Sequence, residues 1–108
     1  MTWTAADLPD PRMRGRTRKQ VEHDVLVAML HINPHRVRAR HTLRPTDFST
    51  STHRALWDTT AEFVRWDDVP ALVARAIGCN IDQAEQWVLM ASMQSYESDV
   101  ELLIEWRQ

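Results

Sequence analysis

Residues 17–34 read TRKQVEHDVLVAMLHINP, and the reading of this stretch decides the fold. Val21, Val25, Leu26, Met29 and Leu30 recur at three- and four-residue steps, the spacing that gathers side chains on one face of an α-helix. Thr17 carries a side-chain oxygen able to accept from the free N–H groups of a first turn, which marks it as the N-cap. The helix has to end near Ile32, because Asn33-Pro34 is a cap followed by a residue tolerated at a helix start and not in its interior. A short basic helix over residues 34–41 follows, with Arg36 and Arg40 one turn apart and expected to face solvent together.

Working outward, Pro45, Thr46 and Asp47 favour a turn, after which Phe48 must bury its ring. Ser49–Thr52 caps a third helix expected to reach about Val64, with Ala55, Leu56, Thr59 and Phe63 inward. Asp67 or Asp68 opens a fourth, with Pro70 in its first turn, Leu72, Val73 and Ile77 on its apolar face, and Gly78 at its C-terminal cap. Asn80 with Gln83 is a capping box that starts a fifth along Ala84, Trp87, Val88 and Ala91. Ser98 with Glu101 repeats the signature before Leu102, Leu103 and Trp106. Two glycines and no sustained β-branched alternation leave nothing for hairpins or glycine-rich nucleotide loops to be built from. The expected fold is all-α, a compact orthogonal bundle of about six helices over residues 17–108, behind a flexible basic tail at residues 1–16 that holds Pro9, Pro11 and Gly15. Its core should comprise Val25, Leu26, Met29, Leu30, Phe48, Leu56, Phe63, Leu72, Val73, Ile77, Val88 and Leu103.

A chain of 108 residues suits one domain. Its single cysteine, Cys79, excludes an internal disulfide and fits a reducing compartment. Residues 1–10 do not have the form of an export signal, and no run approaches the roughly 18 apolar residues of a membrane span. A cytoplasmic protein is therefore expected. The net charge of −2 conceals an asymmetry: residues 1–54 hold ten Arg or Lys against five acids, and residues 55–108 hold three against ten. Such a dipolar chain suits a nucleic-acid or acidic-partner face in its first half, faces that complement each other between copies, or two halves attracting within one fold.

The chemistry-bearing residues point away from catalysis. No phosphate-binding glycine loop with its Lys-Ser/Thr exists. His31 and His35 lie four apart, a spacing metals use on a continuous helix, yet Pro34 interrupts it and further ligands are missing. His53 with Asp58 has no nucleophile nearby, and Cys79 sits in the acidic half without the cations that activate a thiol. No catalytic residue, metal or cofactor is expected. Arg12, Arg14, Arg16, Arg18 and Lys19 place five cations in eight residues, enough for salt-sensitive phosphate contact together with Arg36 and Arg40, and equally compatible with a solvated tail. Of the five tryptophans, Trp57 and Trp87 read as core. Trp66 and Trp106 are candidates for a contact surface, joined by Leu102 on the last helix.

The order of these elements resembles the N-terminal domain of DnaB-type replicative helicases. The resemblance rests on Glu22, Val25, Leu26, Met29, Leu30, Asn33 and Pro34, then on Leu43, Pro45, Asp47, Phe48, His53 and Arg54, then on Leu56, Trp57 and the Val69–Ile77 helix. It covers about Thr17 to Gly78; Cys79–Gln108 does not match the family's terminal helical hairpin, and the helicase-binding C-terminal domain of primase is a relative. The resemblance implies a non-catalytic interaction module of DNA replication that binds a helicase, a primase or its own copies. The alternative is a small nucleic-acid-binding protein using its basic half. A homodimer is also expected, pairing the acidic end around Trp106 with the basic front.

Overall fold

The computed structural model describes residues 11–107. Its helices are α1 (Arg18–His31), α2 (Asn33–Thr42), α3 (Ser51–Thr59), α4 (Val69–Ile77), α5 (Ile81–Leu89) and α6 (Tyr96–Glu105), with 3-10 turns at Pro11–Met13, Pro45–Asp47 and Trp66–Asp68. No strand occurs among the described residues. The fold is all-α, as expected.

Local chemistry sets the helix ends. Thr17 Oγ1 accepts from the Gln20 N–H at 3.3 Å while Gln20 Oε1 accepts from the Thr17 N–H at 2.8 Å, a reciprocal cap that opens α1. Asn80 and Gln83 do the same for α5. Gly78 closes α4 at φ 73°, a left-handed position that a Cβ would strain, and its N–H reaches the Ala74 carbonyl. Ser98 does not cap: its hydroxyl donates to the Ser95 carbonyl, and α6 begins at Tyr96.

α1 is the central element, contacted by α2, α3 and α6. The single apolar stripe expected for it is too narrow, since Glu22, Asp24, Val27 and Ala28 are buried along with the stripe itself. Around it Phe48, Leu26, Met29, Leu56, Leu102 and Leu103 are fully buried, and Phe48 meets Trp57 with ring centroids 5.4 Å apart. α4 packs on α3, and α5 chiefly on α4.

Four core assignments differ from expectation. α3 ends at Thr59, short of Val64, because the hydroxyls of Thr59 and Thr60 each donate back to a carbonyl three residues earlier and close the helix. Phe63 consequently lies on a loop, 63% exposed. Leu72 is half-buried, and Ile77 and Val88 pack on the core's edge. Residues 11–16, expected within a flexible basic tail, are packed on the fold. Residues 1–10 lie outside the described residues, but a 3-10 turn and a left-handed reversal at Arg14 (φ 54°) and Gly15 (φ 76°) fold residues 11–16 back onto α1 and α6. Met13 packs against the core there.

Candidate functional site

Buried carboxylates organise the polar interior. Glu22, fully buried on α1, accepts from the Ser49 N–H at 2.8 Å, the Ser49 hydroxyl at 2.7 Å and His53 Nδ1–H at 2.9 Å, with Arg18 at 3.3 Å. Burial raises the Glu22 pKa, but the hydrogen bonds from His53 and Ser49 outweigh it and hold the carboxyl below its ordinary value. Arg16 bridges two further acids, reaching Asp24 at 2.7 Å and gripping both oxygens of fully buried Asp99 at 2.8 Å. Asp47 accepts from Arg107 at 2.6 and 2.8 Å and from the Arg44 N–H; burial raises its pKa, and these donors lower it overall.

Three histidines lie against aromatic rings, His35 stacked and His23 and His31 tilted. His23 sits 3.8 Å from Trp87, His31 3.8 Å from Trp66 and His35 4.0 Å from Tyr96. His23 Nε2–H donates to the Trp87 carbonyl at 2.6 Å, so α1 holds α5 through a ring contact and a hydrogen bond. Buried His31 Nδ1 has no hydrogen-bond partner. Desolvation lowers the pKa of both His23 and His31. Burial pushes the Tyr96 phenol up to about 12. His31 and His35 thus engage different rings. No group of three or more metal-ligating side chains occurs among the described residues, and His53 faces Glu22 instead of Asp58.

The cations proposed for phosphate contact are largely engaged within the fold. Arg36 donates to the carbonyls of Thr60 and Ala61 at 3.3 and 3.2 Å, and Arg40 donates to the Trp57 carbonyl at 3.0 Å while lying 4.5 Å over the Trp57 ring. The C-terminal end of α3 presents free carbonyls and partial negative charge, so it draws both arginines inward instead of leaving them to solvent. Arg16 is held by Asp24 and Asp99, Arg12 pairs with Glu105, and Arg18 covers Trp106 at 5.4 Å. Arg14 and Lys19 are exposed.

The partner-binding residues separate as well. Leu102 is fully buried, so it belongs to the core and offers no contact surface. Trp106 is half-buried against that core beneath Arg18. Trp66 is different: 64% exposed on the α3–α4 connection, it stands with exposed Phe63 beside a groove of about 670 Å³ between α3 and α4. Phe63, Val64 and Leu72 supply the groove's apolar surface, and Asp58, Glu62 and Asp68 its acids. Reading Phe63 as inward hid it from sequence analysis. The only available signal was the Thr59-Thr60 pair that stops α3.

No family model, curated protein or solved structure matches this chain. Among the described residues no helix is long and apolar enough to cross a membrane.

Proposed function

We propose that this chain is a non-catalytic, cytoplasmic protein-interaction module of DNA replication, similar to a replicative helicase N-terminal domain, which docks a helicase or primase through the Phe63–Trp66 surface. The observation that carries the reading is the exposure of these two aromatic rings on the α3–α4 connection, Phe63 lining the groove and Trp66 outside it against His31. Tryptophan and other large aromatics anchor protein contacts because they remove much apolar area from water at little entropic cost. Self-association through the same surface is a second mode of use.

The nucleic-acid alternative has weaker support, because five of its seven cations already contact this chain's own carbonyls, carboxylates or rings. Two discriminating measurements follow. Calorimetric titration with purified replicative helicase, and separately with the C-terminal domain of primase, should show saturable binding to one of them. A Phe63→Ala/Trp66→Ala variant should lose at least about 2 kcal/mol of that binding. Absence of binding to both, or an undiminished variant, overturns the proposal. In a DNA titration across salt, tight binding with a steep slope would instead favour the alternative.

A further inference from the structure

We infer that the solvent face of α5 is a second docking surface, fitted to a cationic amphipathic helix of another protein. At about 100° per residue, Asp82, Glu85, Leu89 and Met90 share the outer face of the helix, with Ile81 at its edge. Leu89 is 81% and Met90 77% exposed, the two most exposed large apolar side chains among the described residues, with Ile81 at 53%. The opposite face is already in use: Ala84 is buried, Trp87 and Val88 pack on the core, and Trp87 is pinned to His23. Scattered exposed apolar residues are ordinary on a protein surface, but an adjacent pair beside exposed acids, on a helix whose other face is already packed, makes a docking ridge.

Charge selects the occupant. From residue 76 to residue 106 the sequence has six acids and no lysine or arginine. Asp99 is neutralised internally by Arg16 and Glu105 pairs with Arg12, whereas Asp82 and Glu85 lie exposed on the ridge itself. An anionic partner, nucleic acid included, would bring like charge against these acids. A neutral apolar partner would desolvate them without compensation. A helix with an apolar stripe flanked by Lys or Arg covers Leu89 and Met90 and meets Asp82 and Glu85 with opposite charge. Methionine's unbranched, polarisable side chain adapts to differing apolar stripes, as on other surfaces that accept several amphipathic helices. This surface is independent of the Phe63–Trp66 reading and stands or falls separately from it.

The test uses the full chain and a labelled synthetic Leu–Lys helix of about five turns, with a Leu–Glu version and a scrambled Leu–Lys version as comparisons, read by fluorescence anisotropy. The Leu–Lys helix should bind saturably and the other two at least about tenfold more weakly. Leu89→Glu/Met90→Glu should weaken Leu–Lys binding by at least about tenfold. Asp82→Lys/Glu85→Lys should weaken it too and transfer binding to the Leu–Glu helix. All four positions are exposed. Asp82→Lys/Glu85→Lys sets cations near the N-terminus of α5, so a thermal melt of each variant accompanies the titration to show that it is folded. Equal binding of the scrambled peptide, failure of the charge reversal to exchange peptide preference, or affinity unchanged in Leu89→Glu/Met90→Glu overturns the inference. So does a wild-type oligomer that Leu89→Glu/Met90→Glu disperses, which would assign the ridge to a second copy of the chain.

Discussion

Glu22 shows how one side chain can tie together three segments distant in sequence. It lies on α1, and its partners Ser49 and His53 lie before and within α3. Glu22→Ala leaves the buried His53 ring without its acceptor, while exposed Ser49 can turn to water, which should cost about 1–3 kcal/mol in a urea unfolding titration. A loss below about 1 kcal/mol would mean that water replaces the carboxylate. Glu22 also enters the pH response, together with Asp47, His23 and His31. Desolvation lowers the folded pKa of His23 and His31, so below the ordinary value of 6.5 the unfolded chain takes up protons more readily and stability falls. Glu22 and Asp47 have depressed folded values, so their contribution is present above 4.5 and 3.8 and is lost as pH falls through the folded pKa. Stability should therefore decline in two stages on acidification. His31→Phe should flatten the first stage, measured as urea midpoints between pH 7.5 and pH 5; an unaltered slope would remove His31 from the account.

At the scale of elements, the segment before α1 is a structural strap. Arg16 fills the gap between Asp24 of α1 and Asp99 of α6, and its Nε–H bonds the Met13 carbonyl within the same strap. Arg16→Ala would leave two buried carboxylates without a counter-charge and should cost about 3–5 kcal/mol. Arg14→Ala, at an exposed neighbour, should stay within about 0.5 kcal/mol of wild type. Equal thermal melts for the two variants would show that the strap does not bear on stability. Trp106 is an element-scale residue as well. Because it packs on the core under Arg18, Trp106→Ala should lower the melting temperature of the monomer and not act as an interface variant.

Over the whole molecule three ion pairs among the described residues cross between the oppositely charged halves of the chain: Arg12–Glu105, Arg16–Asp99 and Arg107–Asp47. The homodimer first expected, acidic end against basic front, would need these same groups. Large apolar side chains also stay outward: Phe63 and Trp66 at one connection, and Leu89 and Met90 at the end of α5. Phe63→Ala should therefore leave the urea midpoint within about 0.5 kcal/mol of wild type while weakening partner capture. A large loss of stability would return Phe63 to the core and remove it from the proposed surface.

Helix identity was decided locally. Caps such as Thr17–Gln20 and Asn80–Gln83, the left-handed stop at Gly78 and the break at Pro34 act within a few residues, so their chemistry can be read along the chain. The burial of Leu26, Met29, Phe48 and Leu103 was legible too, because helical periodicity and side-chain volume already demand a core. Only the tertiary structure decided the destinations of the polar groups. Whether Arg36 and Arg40 meet water or the carbonyls ending α3, whether Arg16 belongs to a tail or a buried bridge, and whether Leu102 or Phe63 faces outward all depend on what other elements place beside them. Charged and apolar side chains take their roles from the desolvation and partners they meet, and those partners here lie up to 93 residues away.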